Sequence, residues 1–216
     1  MHILRTGMIK RAISFIATIV LLVLAATSLM TPQALTETPC SHGFCVFNHH
    51  ILNGGVGDYG NARRYYWINT SSAMVQYASE IRTGMGNWIY TTNNPPYVTT
   101  PISFRETEIK SNADIEFWSD LPSTANSIAY TNLMLYQEPV TDPYSSNWGW
   151  AKISFHMPSY GSLSFENKIG TASHEIGHAM GLSHCNDLGR IMAWLSEGRY
   201  AWQPQKGDLE TVNHLY

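Results

Sequence analysis

Residues 171–184 read TASHEIGHAMGLSH, and this stretch decides the interpretation of the chain. It contains the pattern H-E-x-x-H-x-x-G-x-x-H, whose defined positions are His174, Glu175, His178, Gly181 and His184. Residues four apart on an α-helix lie on one face, so the imidazoles of His174 and His178 can converge on a single ion. Gly181 permits the left-handed turn that ends a helix, after which the chain turns back and His184 supplies a third nitrogen.

Three imidazoles with a fourth position open are typical of a catalytic zinc site, since a structural site is closed by a fourth protein ligand. Glu175 lies one step round the helix from His174, where its carboxylate can reach a water held by the metal. The pattern therefore predicts one catalytic Zn²⁺ bound by His174, His178 and His184. Glu175 is predicted to be the general base that takes the proton of this water during hydrolysis of a peptide bond.

The extended motif resembles that of the metzincin clan of zinc endopeptidases. Met192, eight residues after His184, resembles the clan's Met-turn methionine, which packs beneath the metal and is not a ligand. Trp194 stands where some metzincins have a tyrosine that approaches the zinc, and its indole cannot bind metal. Within the clan the chain resembles the matrixin catalytic domain in the order and spacing of three stretches: ADIEFWSD (113–120), TASHEIGHAMGLSH (171–184) and PQKGDLETVNHLY (204–216).

The resemblance implies an α+β fold with a metzincin-like, mixed and twisted sheet of about five strands. It also implies three main helices, among them the active-site helix, and a Met-turn. By position, residues 151–157 would be the edge strand that pairs with an extended peptide substrate. Ca²⁺ is compatible with the resemblance, but no calcium loop is recognisable in the sequence.

The residue pattern indicates a similar architecture without reference to any family. Runs of β-branched and aromatic residues predict strands, and apolar residues at three- and four-residue steps predict helices. The predicted strands cover residues 64–69, 102–107, 113–120, 128–137 and 151–157, and the predicted helices cover residues 71–89, 167–181 and 204–216. This order is typical of a mixed sheet with helices packed on it in one domain.

The N-terminus has the features of an export segment. Arg5, Lys10 and Arg11 precede an apolar run over residues 12–26 and a tail of small residues, which predicts a signal peptide within residues 1–30. A retained membrane anchor is the alternative, because no charged residue stands between Arg11 and Glu37. Residues 31–62 are then expected to be an extended lead-in, and residues 63–216 the zinc metalloprotease catalytic domain.

Charge narrows the range of partners. Without the three basic residues of the export segment, 10 of the 13 Lys and Arg remain against 16 acidic residues, a net charge of −6. This acidic balance argues against a partner nucleic acid or an anionic lipid surface. The expected partner is a protein or peptide substrate, with no stable membrane association once the signal is cleaved, and the protein is expected to be a secreted, extracellular monomer.

Three cysteines, Cys40, Cys45 and Cys185, allow three single pairings, each of which leaves one thiol. Proximity favours Cys40–Cys45 in an oxidising compartment, and a latent form with a thiolate on the zinc is the alternative.

Two other functions are compatible with the motif: an exported zinc-containing binding or adhesion module without turnover, and a zinc amidase that acts on cell-wall peptides.

Overall fold

The computed structural model describes residue 40 and residues 43–216. Six strands and four α-helices are present in this part of the chain. The strands are β1 (Arg64–Ile68), β2 (Phe104–Glu106), β3 (Ile115–Trp118), β4 (Ala129–Leu135), β5 (Glu138–Pro139) and β6 (Trp150–Phe155). The helices are α1 (Ala78–Ile89), α2 (Met157–Gly161), α3 (Phe165–Ala179) and α4 (Lys206–Leu215). Single 3-10 turns occur at Asp58–Gly60, Ala73–Tyr77, Lys110–Asn112 and Leu195–Glu197.

The strands form one mixed sheet in the order β2-β1-β3-β6-β4-β5. The first four strands of this order are parallel to one another, and β4 runs antiparallel to β6. The sixth strand, β5, has only two residues, which pair with the end of β4. The predicted α+β class and mixed sheet are confirmed, with one short strand more than the five expected.

The expectation that residues 151–157 form the edge strand is wrong. Strand β6 lies inside the sheet, with β3 on one side and β4 on the other. Its side chains Ile153 and Phe155 are fully buried, as expected for an interior strand. The outermost strand on this side is β5, which is short and pairs with β4 only at Met134 and Leu135.

Helix α3 packs on β4 and β6 and against α1. The apolar residues of α1 recur at helical spacing, and Ile81, Met85 and Trp88 are all buried. The indole of Trp88 also donates a hydrogen bond of 3.0 Å to the carbonyl of Ser173 on α3. This contact ties α1 to the helix that carries the histidine motif.

The segment before β1 packs on the rest of the unit. Cys45, Leu52 and Val56 are buried, and Leu52 forms an isolated β-bridge with Trp148. Cys45 forms a disulfide bond with Cys40, the pairing that proximity favours, while Cys185 remains a buried thiol. The expected boundary between lead-in and catalytic domain after residue 62 stays a prediction.

The predicted signal peptide or anchor within residues 1–30 lies outside the described residues. In the part of the chain that is described, no helix combines the length and the apolar character needed to cross a bilayer. The described residues belong to one unit, which covers Glu37–Tyr216.

Candidate metal centre

Helix α3 brings the first two histidines of the motif together. The helix begins after Ser164, whose side chain accepts a hydrogen bond of 3.2 Å from the backbone N–H of Asn167. Ten and fourteen residues after this cap, His174 and His178 lie one turn apart, and their Nε2 atoms are separated by 3.1 Å.

The end of α3 directs the chain back toward these two side chains. Gly181 has a φ of +101°, which an L side chain rarely adopts. Its N–H donates to the carbonyl of His178, and the N–H of Leu182 donates to that of Gly177, both at 3.0 Å. These two bonds define a Schellman motif, which satisfies the last carbonyls of the helix and reverses the chain. His184 follows two residues later.

The three imidazoles meet at one point. The Nε2 atom of His184 lies 3.1 Å from that of His178 and 3.2 Å from that of His174. Zinc bonds of 2.0–2.1 Å in a tetrahedral site would place their nitrogens about 3.3 Å apart, so the spacing fits this metal. In the described part of the chain, these residues are the one cluster of three or more His, Cys, Asp or Glu side chains that could hold a metal.

Backbone carbonyls fix the tautomers of two of these rings. His174 Nδ1 lies 2.8 Å from the carbonyl oxygen of Ile191, and His178 Nδ1 lies 2.8 Å from that of Leu182. A carbonyl only accepts, so each Nδ1 carries the hydrogen and each Nε2 keeps its lone pair for a metal. Burial lowers the pKa of His174 well below its usual range and that of His184 to about 4, so these rings are neutral at pH 7.

Glu175 lies beside this cluster in a buried position. Burial raises the pKa of its carboxyl to about 7, and this rise is opposed by a hydrogen bond from Thr131 and by the charge of Arg199. The Oγ1 atom of Thr131 lies 2.6 Å from Glu175 Oε2. A carboxyl that titrates near neutrality is suited both to accept and to release a proton in a catalytic cycle.

Met192 packs beneath the histidine helix, where a Met-turn was predicted. It is fully buried, and a Cβ atom added at Gly177 would overlap its Sδ atom. Gly177 stands between the two histidines of α3, so the thioether lies directly against the backbone that carries them.

Two residues behind the Met-turn were not predicted from the sequence. Asp208 is fully buried, and its Oδ2 accepts the backbone N–H of Ile191 at 3.1 Å. Arg199 is also buried and donates from Nη1 to the carbonyl of Ile191 at 3.0 Å, the same carbonyl that accepts from His174. The sequence indicated only that Asp208 stands near the start of the last helix, and no motif pointed to Arg199.

Trp194 lies on the solvent side of the third histidine. Its ring stacks on that of His184 with centroids 3.7 Å apart, and 42% of the residue is exposed. The indole therefore covers one face of an imidazole at the rim of the site.

The mixed sheet, the histidine helix and the three-histidine cluster, which could hold a metal, are consistent with a metzincin-like fold. The family model described as Matrixin matches residues 151–216, which contain all of β6 except Trp150, together with α3, the three histidines, Met192 and α4. The predicted resemblance to matrixins is confirmed over this part of the chain. No curated protein matches the sequence.

Proposed function

We propose that this protein is a secreted zinc endopeptidase that hydrolyses internal peptide bonds in extended protein segments. The observation that supports it is the convergence of three imidazole nitrogens beside the buried carboxyl of Glu175. His174, His178 and His184 would hold the zinc ion. Their nitrogen donor set and their 3.1–3.2 Å separations suit this metal.

Zinc in such a site supplies Lewis-acid chemistry, which makes water more acidic and polarises a carbonyl group. Glu175 accepts the proton that the attacking water loses and delivers it to the departing amine nitrogen. The carbonyls of Ile191 and Leu182 hold two of the imidazoles in the tautomer that leaves Nε2 available. Met192 supports the helix backbone beneath these rings.

The substrate would bind in an extended conformation along β4. Among the strands that the structure describes, β4 pairs on its outer side only with the two residues of β5, and it contacts α3 near Glu175. Backbone hydrogen bonds to an open strand edge are a general way to hold a peptide, with side-chain pockets adding selectivity.

A Glu175→Gln variant tests the role of the carboxyl. It keeps the side-chain size but removes the base, so cleavage of casein or a fluorogenic peptide should fall by about 10²–10⁴-fold. Bound zinc and the unfolding midpoint should stay near those of the wild type. A His184→Ala variant is the matched control, because it should lose both zinc and activity. Unchanged cleavage by Glu175→Gln would overturn the proposal.

The assay also separates the other two functions that the motif allows. A zinc-loaded wild type that cleaves cell-wall peptides but neither casein nor peptide libraries would be an amidase. A wild type that binds zinc and cleaves nothing would be a binding module. Either result would overturn the endopeptidase proposal.

Secretion is supported by the basic and apolar N-terminal sequence and by the Cys40–Cys45 disulfide, which is typical of proteins in oxidising compartments. N-terminal sequencing of protein collected outside the cell should find a new terminus close to residue 30. Recovery of the full-length chain in the membrane fraction would instead support the anchor. Sedimentation of the mature protein should give the mass of a monomer.

A further inference from the structure

Strand β4, which β5 covers over only two residues, makes a direct contact with the proposed general base. Thr131 Oγ1 lies 2.6 Å from Glu175 Oε2 and 3.1 Å from the backbone carbonyl oxygen of Glu175. A hydroxyl has one hydrogen, and a carboxylate is a stronger acceptor than a carbonyl. The shorter contact is therefore the hydrogen bond, and it occupies one of the two carboxylate oxygens.

This bond restricts how the carboxylate can rotate. Glu175 is the residue after His174, so helix α3 fixes its backbone. Only the side-chain torsions of Glu175 remain free to change the direction of the carboxylate. With Oε2 held toward β4, the second oxygen has a defined direction relative to the helix. In the described part of the chain, the Thr131 hydroxyl is the one side-chain donor with a hydrogen bond to this carboxylate.

The backbone of the same threonine faces the open edge of the sheet. The carbonyl of Leu133 accepts the N–H of Val140 at 2.8 Å, on the β5 side of β4. The carbonyl of Ile128 accepts the N–H of His156 at 2.8 Å, on the β6 side. Backbone groups alternate between the two edges of a strand, so Thr131 directs its N–H and C=O to the same side as Leu133.

Strand β5 does not extend to that position, since its register with β4 covers only Met134 and Leu135. An extended peptide added to this edge would pair with the backbone of Thr131 while the side chain of Thr131 contacts the base. Thr131 would thus contact both the substrate strand, through its backbone, and Glu175, through its side chain.

We propose that Thr131 is a positioning residue, which holds the Glu175 carboxylate in a fixed orientation relative to a substrate paired along β4. The inference rests on the proposed endopeptidase function and adds a residue to its machinery. It assigns the threonine to the orientation of the base, and the side chain of Thr131 itself takes no part in bond breaking.

Thr131→Val tests this role, because valine keeps the branched shape and strand preference but lacks the hydroxyl. We expect kcat on a fluorogenic peptide to fall about 10- to 100-fold, as for loss of a hydrogen bond to a charged group, while KM changes by less than about twofold. Thr131→Ser restores a hydroxyl and should recover kcat to within about threefold of the wild type.

Thr83→Val is a matched control. Its hydroxyl also makes one hydrogen bond, of 2.8 Å to the carbonyl of Ser79, but it lies on α1 and its bond does not involve the site. This variant should keep kcat. Combining Thr131→Val with Glu175→Gln should cause no further loss beyond that of Glu175→Gln alone, since there is then no carboxylate to orient.

The outcomes separate this inference from the proposed function. If the wild type cleaves peptides and the Thr131→Val variant is equally active, the positioning role is overturned, but the endopeptidase proposal is not. Equal losses in the valine and serine variants would show a packing effect and would also overturn it. If the valine variant fails to fold, Thr131→Ala provides a second side chain without a hydroxyl. Absence of peptide cleavage by the wild type would overturn both proposals together.

Discussion

Gly177→Ala is expected to destabilise the protein, although alanine normally stabilises a helix. Gly177 lies on α3 between the two histidines. A Cβ atom there would overlap Met192 Sδ and would lie 3.2 Å from Met192 Cε and 3.3 Å from Trp88 Cζ2. Both neighbours are fully buried, so either Met192 or the helix has to move to make room.

The size of the effect follows from two opposed contributions. Overpacking of a buried site costs about 1–3 kcal/mol, and replacement of a helical glycine by alanine gains about 1 kcal/mol. The net loss for Gly177→Ala is then up to about 2 kcal/mol. Gly86→Ala on α1 is the control, because its Cβ would lie at an ordinary 3.5 Å from Tyr90 Cδ2. That variant should gain about 0.5–1 kcal/mol.

Urea unfolding of the metal-free proteins, followed by tryptophan fluorescence, measures both changes. In a protein that already carries Met192→Ala, Gly177→Ala should cost at least about 0.5 kcal/mol less than it does in the wild type, because the smaller side chain removes the overlap. A Gly177→Ala protein as stable as Gly86→Ala would refute the close packing of Met192 beneath the helix. The close packing would also be refuted if the free-energy changes of the two single variants simply added up in the double variant.

Three further results are expected. Asp208→Asn should lower the free energy of unfolding by about 3 kcal/mol in urea titrations, because it leaves Arg190 without its buried carboxylate partner. A loss below about 1 kcal/mol would contradict this expectation. The hydrogen bond from Arg82 lowers the pKa of Glu106, so this partly exposed pair stabilises the fold above the ordinary glutamate pKa of 4.5 and loses its effect as pH falls below it. Glu106→Gln should therefore lower the free energy of unfolding by less than about 1 kcal/mol at pH 7, and this difference from the wild type should shrink in acid. A difference that grows in acid would be inconsistent with a stabilising ion pair. Free zinc at 100 times its dissociation constant should raise the free energy of unfolding by about 2.7 kcal/mol over the chelated protein, an increase that should vanish in a variant without one histidine of the trio.

The histidine helix could be predicted because its information is local. The four-residue spacing of His174 and His178 and the glycine at 181 specify a helix, its end and the return of the chain, and the structure has all three. The pairing of the strands has no such local signal. Strand β6 was expected at the edge by its position in the matrixin resemblance. The sequence itself does not state which strands are neighbours, because their pairing depends on contacts between distant segments.

The residues around the histidines were missed for the same reason. Thr131 reaches Glu175 across 44 positions, and Arg199 and Asp208 reach Ile191 across 8 and 17. None of these sequence separations corresponds to the three- and four-residue steps of a helix or the two-residue step of a strand, from which neighbours can be predicted. Burial of an arginine or an aspartate depends on tertiary packing, so the types of these residues in the sequence favour the surface.

The position of the third histidine depends on two other segments, one distant in sequence and one a few residues downstream. His184 belongs to no helix or strand, so neighbouring chain segments must fix its backbone. On one side the N–H of Ser183 donates to the carbonyl of Cys45 at 2.9 Å, and Cys45 is itself held by its disulfide bond. On the other side the N–H of Cys185 donates to the carbonyl of Met192 at 3.2 Å. The geometry that suits zinc therefore depends on the packing of the segment around Cys45 and of the Met-turn beside His184, and the free energy of zinc binding contributes directly to the stability of the folded state.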